Sequence, residues 1–447
     1  MGDAANLRSL LSMIWVTPWT IVSDLLGPAF TTTLTLTALL SPLAGPASAR
    51  PGRSAEPLAL VGGTVLVSPT DEPIPNGVVL IRAGRIEAVG PRSSVALPPG
   101  IETLDCSGAT VAAGFWNSHV HFTERKWADA ESIPGEELAR QLRSMLTDWG
   151  FTSVFDTGSM WNNTRRLRAR IESGEVPGPR IRSTGPVVFP KGGSAPPEIP
   201  DVLGTMRMPS PEVAGADEAR VAAMTLLDAG TDGVKLYAAT WYPPFVALSG
   251  PAIRAAVAEA HRRAKPVFAH PTSRDGLLAA VHAGVDVVVH TAPRSGPWDE
   301  AVLSAMKRAG AALVPTLKLW SYELRHDRIS AKDNVVAAGV AQLRAWHAAG
   351  GTVLFGTDVG YMGDYDPSDE YALMAEAGMS ARDILASLTT APAERFGEST
   401  RLGRVMPGLV ADLVVLDRDP TGDARAFAAV RYAIREGVVI HRGGERQ

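Results

Sequence analysis

From residue 113 onward the chain alternates short apolar runs with amphipathic helical stretches. Eight such runs end near His121, Asp156, Gly185, Tyr237, His270, His290, Thr316 and Asp358. Helical periodicity fills the intervals at Gly135 to Trp149, Ala216 to Ala229, Pro251 to Ala264, Trp298 to Ala309 and Val335 to Ala349. A strand that must be followed by a helix before the next strand builds a parallel sheet. Eight repeats over roughly 250 residues match a (β/α)8 TIM-like barrel. A Pro-rich interval, Phe189 to Pro211, separates the third strand from its helix. A lid and a purely structural excursion are both open readings of it.

The flanks have another character. Residues 57 to 112 hold short strands, with Gly62-Gly63 between two of them and a hairpin signal at Ala83-Gly84. Strand character returns after residue 402. The expected organisation is a small β-sandwich built from 51–112 and 402–447, interrupted by the barrel over 113–401. Residues 1–50 stand apart. No charge occurs from Leu25 to Ala49, and the run closes on Ala47-Ser48-Ala49 before Arg50. This pattern predicts a signal peptide and export, with a loose N-terminal extension as the alternative. Pro28, Pro42 and Pro46 argue against a stable membrane span.

Composition narrows the function. With 45% hydrophobic and 20% charged residues, the chain is globular. A formal charge of −4 and the lack of a basic stripe exclude a nucleic-acid partner. The single cysteine, Cys106, excludes internal disulfides and Cys-based zinc knuckles and reads as a buried small residue.

Chemistry concentrates at the strand ends. His119 and His121 lie two apart on a strand, so both imidazoles face the same side. Lys235, His270, His290 and Asp358 each follow an apolar run, and in a barrel such positions converge on one pocket. Singly, each has an ordinary structural alternative: a hydrogen-bonded His, an Asp capping a turn, a Lys paired with a carboxylate. A buried lysine loses its charge readily, and the free amine can take up CO2 to form a carbamate able to bridge two metal ions. Tyr237, two past Lys235, shares its strand face. It is either an oxyanion donor or a packed aromatic.

The order His-x-His, Lys, His, His, Asp resembles the metal-dependent amidohydrolase superfamily, over nearly all of residues 57–443. Gly84-Arg85-Ile86-Glu87-Ala88-Val89-Gly90 and Pro407 to Leu416 carry the likeness in the flanks. Val267 to His270, Gly284 to His290 and Gly356-Thr357-Asp358 are most similar to the imidazolonepropionase-like branch. The lysine is similar to that branch's binuclear prolidase and carboxypeptidase-type members. Asn117 departs from the Asp usual two residues before the first His.

The resemblance implies two divalent metal ions, foremost Zn2+, with Mn2+, Co2+ and Fe2+ compatible. His119, His121, carbamylated Lys235 and Asp358 hold the more buried ion by this likeness, and Lys235, His270 and His290 the other. It implies attack on an amide carbon by a metal-bridging hydroxide, with Asp358 carrying the proton to the leaving nitrogen. The expected substrates are dipeptides or N-acyl amino acids, as for an Xaa-Pro dipeptidase or carboxypeptidase. The rivals are a mononuclear deaminase, a cyclic amide or lactone hydrolase, and a catalytically inactive binding protein on the same scaffold. Arg125, Lys126, Arg274, Arg294 and Lys318 are candidate partners of a substrate carboxylate, and Trp241 and Tyr242 of an apolar group. A homo-oligomer stays open.

Overall fold

The computed structural model describes residues 56–193, 210–241, 245–326, 329–330 and 334–444. The expected signal peptide, Tyr242 and most of the Pro-rich interval lie outside the described residues. No helix among the described residues is long and apolar enough to cross a membrane.

Five strands come first: β1 (Leu58–Val65), β2 (Ile74–Arg82), β3 (Arg85–Pro91), β4 (Glu102–Asp105) and β5 (Thr110–Ala113). The sequence suggested two strands around Gly62-Gly63, and the structure has one. Register against β2 shifts on either side of Gly63, and Gly62 takes φ 91°, so the glycines bulge the strand instead of ending it. Cys106 is fully buried beneath this sheet.

Parallel strands follow. β6 (Phe115–Val120), β7 (Phe151–Asp156) and β8 (Arg180–Ser183) form one parallel sheet. β9 (Phe189–Pro190) and β10 (Glu212–Val213) pair with each other at the ends of the Pro-rich interval. β11 (Val234–Tyr237), β12 (Val267–His270), β13 (Val287–Val289) and β14 (Ala312–Val314) form a second parallel sheet in that order. Helices lie between the strands, among them Trp161–Glu172, Arg274–His282 and Leu317–Arg325, which the sequence reading had not singled out. Every residue of β6, β7, β11 and β12 is buried, as expected of parallel strands covered on both faces.

The eighth expected strand is less regular. Residues 353–359 make only isolated parallel bridges, Val353 to Leu313 and Val359 to Val120 and Met362. Crowding explains this. A side chain at Gly356 would lie 2.3 Å from Val314 Cγ1 and 2.9 Å from His119 Cβ, so glycine lets the backbone squeeze past both.

The last strands, β15 (Leu413–Leu416), β16 (Val430–Arg435) and β17 (Val438–Arg442), return to the first sheet. β15 runs antiparallel to β5, from Leu413 opposite Ala113 to Leu416 opposite Thr110. The sheet order is β17-β16-β15-β5-β1-β2-β3, with β4 beside β1. Asp412 ties this sheet to the parallel strands: it accepts from Arg180 at 2.6 Å through its side chain and from Gly114 N at 2.8 Å through its carbonyl.

The segment after Asp358 is held by buried charge. Lys318, 2% exposed, pairs with Asp364 at 2.9 Å and donates to the carbonyls of Asp364 and Asp366. Glu370 is fully buried and accepts from Lys318 N at 2.7 Å. Burial pushes its carboxyl up to about 7, against the pull of the Lys318 and Leu317 N–H groups. A carboxyl raised from its ordinary 4.5 favours folding fully below that value, and the benefit is lost as pH rises through about 7. The difference is of order 3 kcal/mol. Urea unfolding at pH 5 and pH 8 should therefore show the wild type losing stability relative to Glu370→Gln at the higher pH. An equal dependence in wild type and variant would exclude this contribution from Glu370.

Candidate active site

The strand ends bring His119, His121, Lys235, Tyr237, His270, His290 and Asp358 to the lining of one cavity. His119 and His121 come from the end of β6, Lys235 and Tyr237 from β11, and His270 from β12. His290 follows β13, and Asp358 ends the 353–358 run. His290, Thr316 and Asp358 all have left-handed backbones, with φ of 71°, 44° and 64°. Such conformations cost energy in residues other than glycine and gather where the surroundings impose them, often at functional sites.

At the base, His119 Nε2 lies 3.1 Å and His121 Nε2 2.9 Å from Asp358 Oδ1, and the two nitrogens are 3.2 Å apart. The other ring nitrogens are spoken for. His121 Nδ1 donates to Gly158 O at 2.8 Å, which in the neutral ring turns the Nε2 lone pair into the cavity. His119 Nδ1 meets Thr157 Oγ1 at 3.0 Å, and His290 Nδ1 meets Thr316 Oγ1 at 2.6 Å. His270 stacks face to face on Tyr237, with centroids 4.3 Å apart and planes 8° apart. Phe189 stacks on the same tyrosine at 4.6 Å. Among the described residues, the buried Nδ1 of His270 has no hydrogen-bond partner.

Burial governs the charges. It lowers His119 to about 3, with Lys235 adding to the effect and Asp358 opposing it. His270 and His290 are held well below the ordinary imidazole range by burial, then by Lys235 for His270 and by His270 for His290. Lys235, 2% exposed, falls to about 7 by burial against the opposing charge of Asp358. Burial works to raise Asp358, but the attraction and hydrogen bonds of His119 and His121 outweigh it and hold the carboxyl well below its usual range. The result is three neutral imidazoles, at His119, His270 and His290, a half-neutral amine and an ionised carboxylate. Ligand atoms of His119, His121 and Asp358 lie within 4.8 Å of one another, a donor set suited to a divalent cation. The unsatisfied nitrogen of His270 fits the same need.

Asn117 is fully used. Its Oδ1 accepts from the N–H groups of His119 and Thr357, each at 3.2 Å, and its Nδ2 donates to Thr357 Oγ1 at 2.7 Å. The candidate carboxylate partners are placed elsewhere. Lys126 bonds Tyr365 and pairs with Glu124 at 2.9 Å, Arg274 pairs with Asp299 at 2.8 Å, and Lys318 is the buried clamp described above. Arg294 stacks over Trp241 at 4.3 Å, and Arg125 is exposed. None of these five lines the cavity, whereas Trp241 does. Sequence reasoning missed Thr157, Thr316, Trp320, Glu323 and Tyr361. The two threonines end apolar runs just as the histidines do, so the same rule applied to hydroxyls would have found them.

The model of the amidohydrolase family matches residues 110–441. The chain belongs to the amidohydrolase family. This amidohydrolase is 23% identical to ochratoxinase of Aspergillus niger over 407 residues, covering 83% of each chain. It superposes with a TM-score of 0.70 on a prolidase complexed with N-methylphosphonate-L-proline, at 28% identity, covering 86% of this chain and all of that one. A Xaa-Pro dipeptidase with bound methionine shares the fold, with a TM-score of 0.74 at 22% identity, covering 87% of this chain and 100% of that one. The amidohydrolase is thus an amide-bond hydrolase, of a family that generally binds divalent metals.

The hydroxyl of Thr157 orients the His119 ring. Thr157→Val keeps the shape and removes that contact. It should weaken divalent-metal binding about 10- to 100-fold in chelator competition. Unaltered affinity would remove Thr157 from the site.

Proposed function

We propose that the enzyme is a binuclear metallopeptidase acting on dipeptides or N-acyl amino acids. The observation that carries this is Lys235: a fully buried amine with a pKa near 7, in a cavity with four histidines and Asp358. A neutral, desolvated amine is the form that adds to CO2, and a carbamate at that position supplies two oxygens for bridging. His119, His121, the Lys235 carbamate and Asp358 would hold one ion, and the carbamate with His270 and His290 the second; zinc suits these donors best. Bound there, divalent ions supply a Lewis acid for the scissile carbonyl and acidify water for attack.

The chain's own groups do the rest. Asp358, held ionised, takes the proton of the attacking water and passes it to the departing nitrogen. Tyr237 is fixed by stacking against His270 and Phe189, and its hydroxyl donates to the carbonyl oxygen as charge develops. Aromatic and aliphatic walls exclude water from the base. The prolidase and the ochratoxinase among the relatives support an amide of this kind. In the same reading, both parallel sheets and residues 353–359 close into a (β/α)8 barrel over 113–401, flanked by a domain of 51–112 and 402–447. Residues 1–50 direct export as a signal peptide.

Metal analysis separates this enzyme from its rivals: two ions per chain for the binuclear hydrolase, one for a mononuclear deaminase, none for a binding protein. Hydrolysis of a dipeptide and N-acyl amino acid panel should rise with added zinc and bicarbonate. Lys235→Ala should lose bound metal and activity together. Full activity in that variant would rule out the bridging carbamate.

A further inference from the structure

Asp156 ends β7 beside the site, yet it does not line the cavity. It is fully buried. Its Oδ2 accepts from the hydroxyls of Ser159 and Ser183, each at 2.5 Å, and its Oδ1 from Gly158 N at 3.4 Å. Its carbonyl accepts from Thr184 N at 2.9 Å. The serines are held in turn. Ser183 Oγ accepts from Gly185 N at 2.9 Å, and Ser159 N donates to Gly185 O at 3.2 Å. Ser159 Oγ meets Thr164 Oγ1 of helix Trp161–Glu172 at 2.6 Å. Ser159, Thr164 and Ser183 are all buried. The carboxylate is thus the centre of a knot that joins β7, β8 and this helix.

Each proton in the knot has one place to go. Ser159 and Ser183 give theirs to Asp156, so Thr164 gives its own to Ser159, while Ser183 receives that of Gly185 N. An asparagine fills the same space and is less costly to bury. It breaks the pattern all the same. With its Nδ2 toward the serines, the Ser183 proton loses its acceptor; with its Nδ2 toward Gly158, donor faces donor.

The knot fixes the turn Thr157-Gly158-Ser159, and that turn carries the groups that meet two ligand rings. Thr157 Oγ1 lies 3.0 Å from His119 Nδ1, and Gly158 O accepts from His121 Nδ1 at 2.8 Å. The fit is close: a Cβ on Gly158 would stand 3.2 Å from His121 Nδ1 and 2.8 Å from Val187 Cγ2. We infer that Asp156 is a positioning residue for the metal ligands. By fixing the turn, it keeps the Gly158 carbonyl on His121 Nδ1, so that the ring holds its proton there and offers Nε2 to an ion. This rests on the reading of His119, His121 and Asp358 as ligands of a divalent ion.

The test compares wild type with Asp156→Asn and Ser159→Ala, each checked by a melting curve. Metal-stripped protein labelled with 15N-histidine reports the ring tautomers at pH 9, where a free imidazole is neutral. The His121 signals are those lost in His121→Gln. Wild type should show His121 protonated at Nδ1 alone, and both variants a mixture of tautomers. Zinc affinity by chelator competition should fall about 10- to 100-fold in Asp156→Asn and less in Ser159→Ala. The visible spectrum of the cobalt-loaded form should shift in the same order. A lower melting temperature with the tautomer and the zinc affinity unchanged gives Asp156 a structural role alone and overturns the assignment, as does a wild-type His121 protonated at Nε2. Should Asp156→Asn fail to fold, Ser159→Ala decides by the same readouts. If wild type binds neither zinc nor cobalt, the metal reading fails, and the tautomer comparison still decides whether Asp156 sets the His121 ring.

Discussion

Two imidazole nitrogens and a carboxylate oxygen crowd together at the base of the cavity, with no contact between them longer than 3.2 Å. A carboxylate beside imidazoles accepts their hydrogen bonds or shares a cation with them. The fold holds all three there. Parallel strands bring the residues in from distant parts of the chain, and Thr157, Gly158 and Thr316 fix the rings. Burial keeps His119, His270 and His290 neutral, and neutral imidazole is the form that ligates. One requirement, a dry pocket of converging lone pairs, thus accounts for strand ends, glycine placement and left-handed backbones together.

Much of this was legible in the sequence. The alternation of strand and helix could be read because parallel strands buried on both faces are nearly all apolar. A polar residue at the end of such a run is then conspicuous, which is why His119, His121, Lys235, His270, His290 and Asp358 stood out. The same contrast marks Thr157 and Thr316, but a hydroxyl carries no distinctive chemistry of its own, and its role appears only with the ring it touches.

Other features depend on tertiary placement that no local pattern encodes. A long cationic side chain near a strand end can reach a substrate or a neighbouring loop; Lys318 and Lys126 reach loops. Glu323 sits on a short helix that begins immediately after Thr316, whose hydroxyl turns to His290 and does not cap it. The run at 353–358 looks like its neighbours in composition, yet Gly356 and the backbone of Asp358 keep it from forming a regular ladder.

The pairing of β5 with β15 bears on how the molecule is made. Ala113 and Leu413 are neighbours in the sheet, yet the whole catalytic segment must be synthesised between them. While the chain grows, β5 lacks its partner and presents an open row of amide and carbonyl groups beside an apolar face. The join that completes the sheet is among the most non-local in the molecule and belongs to the slow end of assembly. A nascent chain stopped short of Leu413 is therefore left with an adhesive edge, and strand-to-strand association between such chains is its natural route to aggregation.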